Sequence, residues 1–331
     1  MNNTVQNSEI TKNHKSGWVI LDKPVGMSSH TATNLVRKIF LADRAGHCGT
    51  LDPLASGVLP IALGAATKLV DYVVATEKSY DFSIIWGEER TTDDRAGEIT
   101  AQSPHRPDQT AILEVLPQFI GTIEQIPPDF SALKIQGKPA YHRARKGESN
   151  LHQPRPVTIH ALSLTHHSPS ESYFTLNCGK GVYVRAIARD LARKLGSFGH
   201  VGMLRRTKVG KCLIENAISL EKLTAIGHSG DDLSVLQSIP SLLDDILVMD
   251  VTAAEANFLG HGRAIELSPD RIVKKDNFAA LSQDHANEMH ASQDVPVLAF
   301  YQGQPAALGR WDGGKFTPRR VFITHPARAA S

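Results

Sequence analysis

Between Gly46 and Pro60 the chain reads Gly-His-Cys-Gly-Thr-Leu-Asp-Pro-Leu-Ala-Ser-Gly-Val-Leu-Pro, with three glycines and two prolines around one carboxylate, Asp52. That spacing is too punctuated for a regular element over the stretch and predicts a stiff loop. Pro53 biases Asp52 away from the helical region of backbone space. Such a loop can present one carboxylate into a cleft. Taken alone, the same chemistry also suits an aspartate that closes a turn or caps a helix.

The flanking sequence predicts ordinary elements. Trp18 to Leu21 is a short apolar run ended by Asp22-Lys23-Pro24, a strand then a turn. Ser28 or Ser29 can cap a helix whose apolar face is Leu35, Val36, Ile39 and Phe40. A helix is expected over 65–74. Residues 78–86 alternate, with Tyr80, Phe82, Ile84 and Trp86 on one side, as in a half-buried strand. A helix over 108–119 and strands over 121–126, 131–135, 156–164 and 173–178 follow. A short basic helix over 140–146 lies among them, stopped by Gly147. A stronger helix is expected over 182–195, with Arg185, Arg189 and Arg193 spaced by four and Gly196 as its C-cap. Next come a strand over 200–209 and a helical pair, 220–226 and 232–238. Beyond Pro240 a helix over 252–259 and strands at 295–301, 306–310 and 315–322 suggest a small β-rich domain. Residues 282–294 read as a disordered loop within it. The expected division is a disordered tail over 1–16, a catalytic domain over 17–245 and a second domain over 246–331.

The full sequence has 331 residues and a net charge of +2, unevenly spread. From Lys134 to Lys211 stand 15 Lys and Arg against 3 Asp and Glu. A concentrated basic segment suits a polyanion site and equally a solvated basic face. The 3 cysteines form no CxxC pair, and the 15 histidines form no HExxH motif. No metal site is expected, and a reducing, cytoplasmic setting fits unpaired thiols. No run of 18 apolar residues would cross a membrane.

The Asp52 loop, continuing through Gly64, Ala66, Thr67 and Lys68, resembles the signature of the TruB-type pseudouridine-55 synthases. Further segments carry the same resemblance. They are Leu21 to Ser29, Lys78-Ser79-Tyr80, Ile126-Pro127-Pro128 with Ser131 to Lys134, Gly137 to Tyr141, and Gly179 to Arg185. The matches span roughly 17–211, and the C-terminal region resembles a PUA domain. Three positions depart from the pattern: Arg90 replaces a common Thr, Phe130 a common Tyr, and Cys48 fills a variable position.

The resemblance implies an α+β fold: a mixed, largely antiparallel central sheet flanked by helices, with a small β-barrel-like PUA domain. It implies a catalytic set of Asp52, Tyr80 and Arg185. Arg185 is then the buried cation that keeps Asp52 ionised, in a bidentate pair. His47, Tyr80, Tyr183 and Leu204 would contact the substrate base, and Asp94 and Lys68 would order the site. A thumb-like segment over about 126–155 would grip RNA through Lys134, Lys138, Arg143, Arg145 and Lys146. The implied partner is tRNA through its T-arm stem-loop, with no cofactor, no metal, no membrane and no obligate protein partner.

Overall fold

The computed structural model describes residues 15–131, 134–135, 138–139, 152–229, 232–243, 246–274 and 295–323. The chain divides into two compact units, Met1–Gln237 and Ser238–Ser331.

In the first unit the described strands are β1 (Gly17–Lys23), β2 (Ala45–His47), β3 (Ser56–Leu63), β4 (Lys78–Trp86), β5 (Glu88–Arg90), β6 (Ile99–Gln102), β7 (Gly121–Gln125), β8 (Lys134–Ile135), β9 (Lys138–Pro139), β10 (Arg155–His167), β11 (Glu171–Cys178), β12 (Gly199–Val209), β13 (Cys212–Leu213) and β14 (Ile218–Ser219). The helices are α1 (Ser29–Ile39), α2 (Val70–Val74), α3 (Gln109–Val115), α4 (Val184–Lys194) and α5 (Leu220–Ser229). The main sheet runs β14-β1-β3-β12-β4-β11-β10-β7, with β2 on β3 and β13 on β12. Two of its ladders, β1 with β14 and β3 with β12, are parallel; the others are antiparallel.

Alternation builds the core. Tyr80, Phe82, Ile84 and Trp86 on β4 are all buried, and Phe82 stacks on Phe174 of β11 at 5.2 Å. Val36 from α1, Phe40 at its C-cap, and Ile187 and Leu191 from α4 close over the same cluster. Each such side chain contributes about 1.5–3 kcal/mol by leaving water. Ser28 caps α1 by accepting from the Thr31 amide at 3.0 Å.

Local expectations are revised at several points. The stretch 45–60 holds two regular pieces, β2 and the start of β3, with Pro60 inside β3. A strand residue points its N–H and C=O to one edge, and the Pro60 carbonyl accepts from the Cys48 amide on the edge away from β1. On that edge β12 pairs only with Ser56 and Gly57, and β2 pairs from Ile61 onward. The missing proline donor therefore falls in a gap where no ladder bond is needed. The helix expected over 65–74 splits into a 3-10 turn, Gly64–Leu69, and α2. That over 108–119 becomes α3, capped by Asp108, and a 3-10 turn Leu116–Phe119 at Pro117. The helix expected over 232–238 is a 3-10 turn, Asp232–Val235. The segments 140–146 and 282–294 lie outside the described residues.

The second unit contains β15 (Leu247–Asp250), α6 (Ala253–Gly260), β16 (Ile265–Glu266), β17 (Val273–Lys274), β18 (Val295–Tyr301), β19 (Gln304–Trp311) and β20 (Lys315–Val321). Its strands form a curled half-barrel in the order β16-β20-β19-β18-β15-β17. Met249, Leu259, Val297, Ala307, Trp311 and Phe316 fill a core of its own. Thr252 and Glu255 form a capping box on α6.

Candidate active site

The Asp52 loop is fastened on both sides. The Ser29 hydroxyl, itself buried, donates to the Leu51 carbonyl and accepts from the Leu51 amide, both at 2.8 Å. The Pro53 carbonyl accepts from the Gly26 amide at 2.7 Å, and the Asp52 carbonyl from the Ala55 amide at 3.0 Å. Two glycines are sterically required. Gly49 and Gly57 have φ of +88° and +104°, and a Cβ on Gly57 would stand 2.1 Å from the Arg206 carbonyl. The backbone is thus held while the Asp52 side chain keeps 36% of its surface open.

Arg185 enters from the first turn of α4. No side chain caps that helix; Gln125 instead fixes the residue before it, accepting from the Tyr183 amide at 2.8 Å and donating to its carbonyl at 3.1 Å. The Arg185 side chain is 4% exposed, and its Nη2 lies 2.9 Å from Asp52 Oδ2. The expected bidentate fork is not formed. Nη2 also donates to the Phe130 carbonyl and Nη1 to the Thr92 carbonyl, both at 2.8 Å, and Nε lies 3.7 Å from Asp94 Oδ2. The guanidinium is shared among the Asp52 carboxylate, two backbone carbonyls and the Asp94 carboxylate, so it holds Asp52 from a rigid mount. Asp94 is held in turn by the Thr92 hydroxyl and the Ala96 amide. Arg90 closes the same turn by donating to the Gly97 carbonyl at 3.1 Å.

The other arginines of the stripe face carboxylates. Arg189 Nη1 lies 3.0 Å from Asp93, and Arg193 grips Glu89 through two nitrogens at 2.7 and 2.9 Å. Burial pushes the Asp93 carboxyl up to about 6, with Arg189 and Arg185 opposing the rise. Arg205 pairs with Asp22 at 2.8 Å. Part of the basic segment is therefore engaged in ion pairs with neighbouring carboxylates, and charge counting overstated its free cations.

Tyr80 is buried on β4, directly across the ladder from Arg206 on β12. Burial pushes its phenol up, and the neighbouring guanidinium opposes this. Leu204 lies two residues before Arg206, opposite Phe82 on the same face. His47 ends β2, and burial, then Arg206 and His30, lower its imidazole's proton affinity. Its buried Nδ1 has no hydrogen-bond partner. A ring kept neutral by burial suits stacking. Lys23 ends β1, fully buried, and donates to the Pro24 and Met27 carbonyls at 2.8 and 2.7 Å. Burial lowers its ammonium to about 8, and the nearby Asp52 charge limits the drop.

A family model described as TruB family pseudouridylate synthase (N terminal domain) matches residues 37–184. A second, tRNA pseudouridylate synthase B C-terminal domain, matches 185–248. The protein called tRNA pseudouridine synthase B in Rhodopseudomonas palustris is 45% identical over 312 residues, covering 92% of this chain and 80% of that protein. Its counterpart in Bradyrhizobium diazoefficiens is 50% identical over 317 residues, covering 92% and 85%. The chain belongs to the tRNA pseudouridine synthase B family. A solved structure titled as a Cbf5-Nop10-Gar1 complex shares the fold, with a TM-score of 0.67 at 23% identity over 93% of this chain and 85% of that one.

Of the residues the family resemblance implied, Asp52 and Arg185 meet directly, and Tyr80 lies near enough for the Asp52 charge to add slightly to the rise that burial imposes on its phenol. Tyr183 is half-buried with Arg155 stacked 5.1 Å from its ring centre. Lys68 lies in the turn after β3. Lys134 and Lys138 stand on the small β8–β9 hairpin; Arg143, Arg145 and Lys146 lie outside the described residues. Among the described residues no cluster of three or more His, Cys, Asp and Glu could hold a metal, and no helix is long and apolar enough to cross a membrane. Reading the sequence missed Lys23, Gln125 and Arg206. The available signal was a charged residue at an inward position of an apolar strand, Lys23 in phase with Val19 and Leu21, and Arg206 in phase with Leu204.

Proposed function

We propose that this chain isomerises a uridine in tRNA to pseudouridine, at position 55 of the T loop, with Asp52 as the catalytic carboxylate. The observation that carries this reading is a half-open carboxylate on a braced loop, aimed by a buried arginine, in a member of the tRNA pseudouridine synthase B family.

The reaction breaks the N1–C1′ bond, turns the uracil and joins C5 to C1′. A hydrogen leaves C5 and one is gained at N1, so atoms balance with no redox change or net hydrolysis. No cofactor is required. An ionised Asp52 starts the reaction by attack at the sugar or by promoting elimination there. Tyr80 stacks on the base and relays the C5 proton. The uridine must leave its stack, at a cost of a few kcal/mol. His47 fills the gap by stacking, and Tyr183 and Leu204 line the base pocket. Lys134, Lys138, Arg143, Arg145 and Lys146 meet T-arm phosphates and offset the unstacking. The enzyme acts alone, in the cytoplasm.

The test is incubation with unmodified tRNA, without added RNA or protein, followed by nucleoside analysis. Pseudouridine at the T-loop uridine supports the reading. Activity that appears only with an added guide RNA would instead favour a guided synthase.

A further inference from the structure

Arg206 is 1% exposed, one of the largest fully buried side chains of the chain. No ion pair to a carboxylate involves it among the described residues, and the cations Lys23 and Lys78 stand close enough to have their proton affinity lowered by it. A buried cation without a counter-charge is costly, so its contacts deserve a reason. Its Nε donates to the Val58 carbonyl at 2.8 Å and its Nη2 to the Gly49 carbonyl at 3.0 Å. Its Nη1 lies 3.3 Å from where a Cβ on Gly49 would stand. Gly49 begins the turn that leads to Asp52. Across the ladder Arg206 is paired with Tyr80, and its guanidinium opposes the rise that burial imposes on the phenol.

We propose that Arg206 is the positioning residue for Tyr80, tying the phenol oxygen to the loop that carries Asp52 and directing the phenol's proton toward the substrate. Arginine only donates. Toward Arg206 the Tyr80 oxygen must therefore accept, which leaves the hydroxyl hydrogen for a third group. The same guanidinium opposes the negative charge on that oxygen while a proton is in transit. Over the full reaction Tyr80 first gives its hydrogen up toward N1, then as the phenolate takes one from C5, and ends as the neutral phenol. A lysine could supply the charge but not the planar fork that holds the Val58 and Gly49 carbonyls while standing across the ladder from Tyr80. The proposal rests on the functional reading above, with Tyr80 as proton relay.

The test uses the full chain with a fluorinated tyrosine at position 80, whose ionisation is followed by fluorine NMR, in the parent, Arg206→Lys and Arg206→Gln. The relay is read separately as the single-turnover rate on saturating tRNA. The expected result is a phenol titration moved to higher pH in Arg206→Gln and to a smaller extent in Arg206→Lys. The rate of Arg206→Gln should fall about 10- to 100-fold with tRNA affinity held, the effect of one charge-assisted hydrogen bond. Arg206→Lys should recover part of it. If Arg206→Gln does not fold, Arg206→Lys carries both readouts. A phenol titration unmoved by either variant would overturn the proposal, whatever the rates do. A parent that makes no pseudouridine would sink the functional reading, while the NMR titration still decides whether Arg206 governs the Tyr80 proton.

Discussion

The Asp52–Arg185 pair should break asymmetrically. Replacing Arg185 with Met strips the donor from two fixed carbonyls, Thr92 and Phe130, and the cation from Asp94, whose side chain is 5% exposed. Breaking a buried pair from one side costs about 3–5 kcal/mol because a charge is left stranded. For a unit of this size that lowers the melting temperature by about 6–20 °C, at roughly 2–4 °C per kcal/mol. Replacing Asp52 with Asn removes the other partner, but there 36% of the side chain is open and the guanidinium keeps its two carbonyls and Asp94. The cost should stay below about 1 kcal/mol, as for solvent-accessible pairs. Both variants should lose pseudouridine formation, and Asp52→Asn should still bind tRNA. Calorimetry of the full chain, alongside nucleoside analysis of treated tRNA, measures both effects. Equal melting losses in the two variants would refute the rigid-mount argument. Turnover near the parent level in Asp52→Asn would refute the catalytic assignment.

Neutralising Lys138, Arg143 and Lys146 together should weaken T-arm binding and reduce its log–log salt slope by about 2, at roughly 0.7–0.9 per phosphate contact. An unchanged slope with a large drop in melting temperature would make the segment structural. EDTA should leave turnover of a pre-folded T-arm hairpin intact; loss restored by a divalent ion would show that a metal is needed. Lys23 titrates near 8 when folded against 10.5 when free, so between those values the unfolded chain binds more protons. Stability from this group therefore rises with pH from about 8 to 10.5, and denaturation of Lys23→Met across that window should show a shallower rise. Some rise remains because burial lowers Lys78 to about 8 as well. An identical slope in the variant would mean that Lys23 is not depressed.

The stiff loop around Asp52, the strand carrying Tyr80 and the helix carrying Arg185 were legible because glycine, proline and apolar phase act within a few residues of themselves. Pro60 marks where that logic failed. It argued against a strand, yet β3 accepts it because of where β2 and β12 stop pairing, which no local pattern reports. The arginine stripe on α4 was visible as a stripe. Which member would aim the carboxylate came from the family resemblance, since spacing treats Arg185, Arg189 and Arg193 alike.

What the sequence determined by itself was the backbone chemistry of the site: a carboxylate between glycines and prolines, an inward tyrosine on an alternating strand, an arginine in a helix's first turn. What tertiary structure decided was which polar groups meet. Arg185 reaches Thr92 across 93 residues of chain, and Arg206 reaches Gly49 across 157. Dihedral preference and hydrophobic phase are set by neighbours in sequence. A buried cation's partner is set by strand register and by which carbonyls are left without a ladder bond, and both exist only once the sheet has closed.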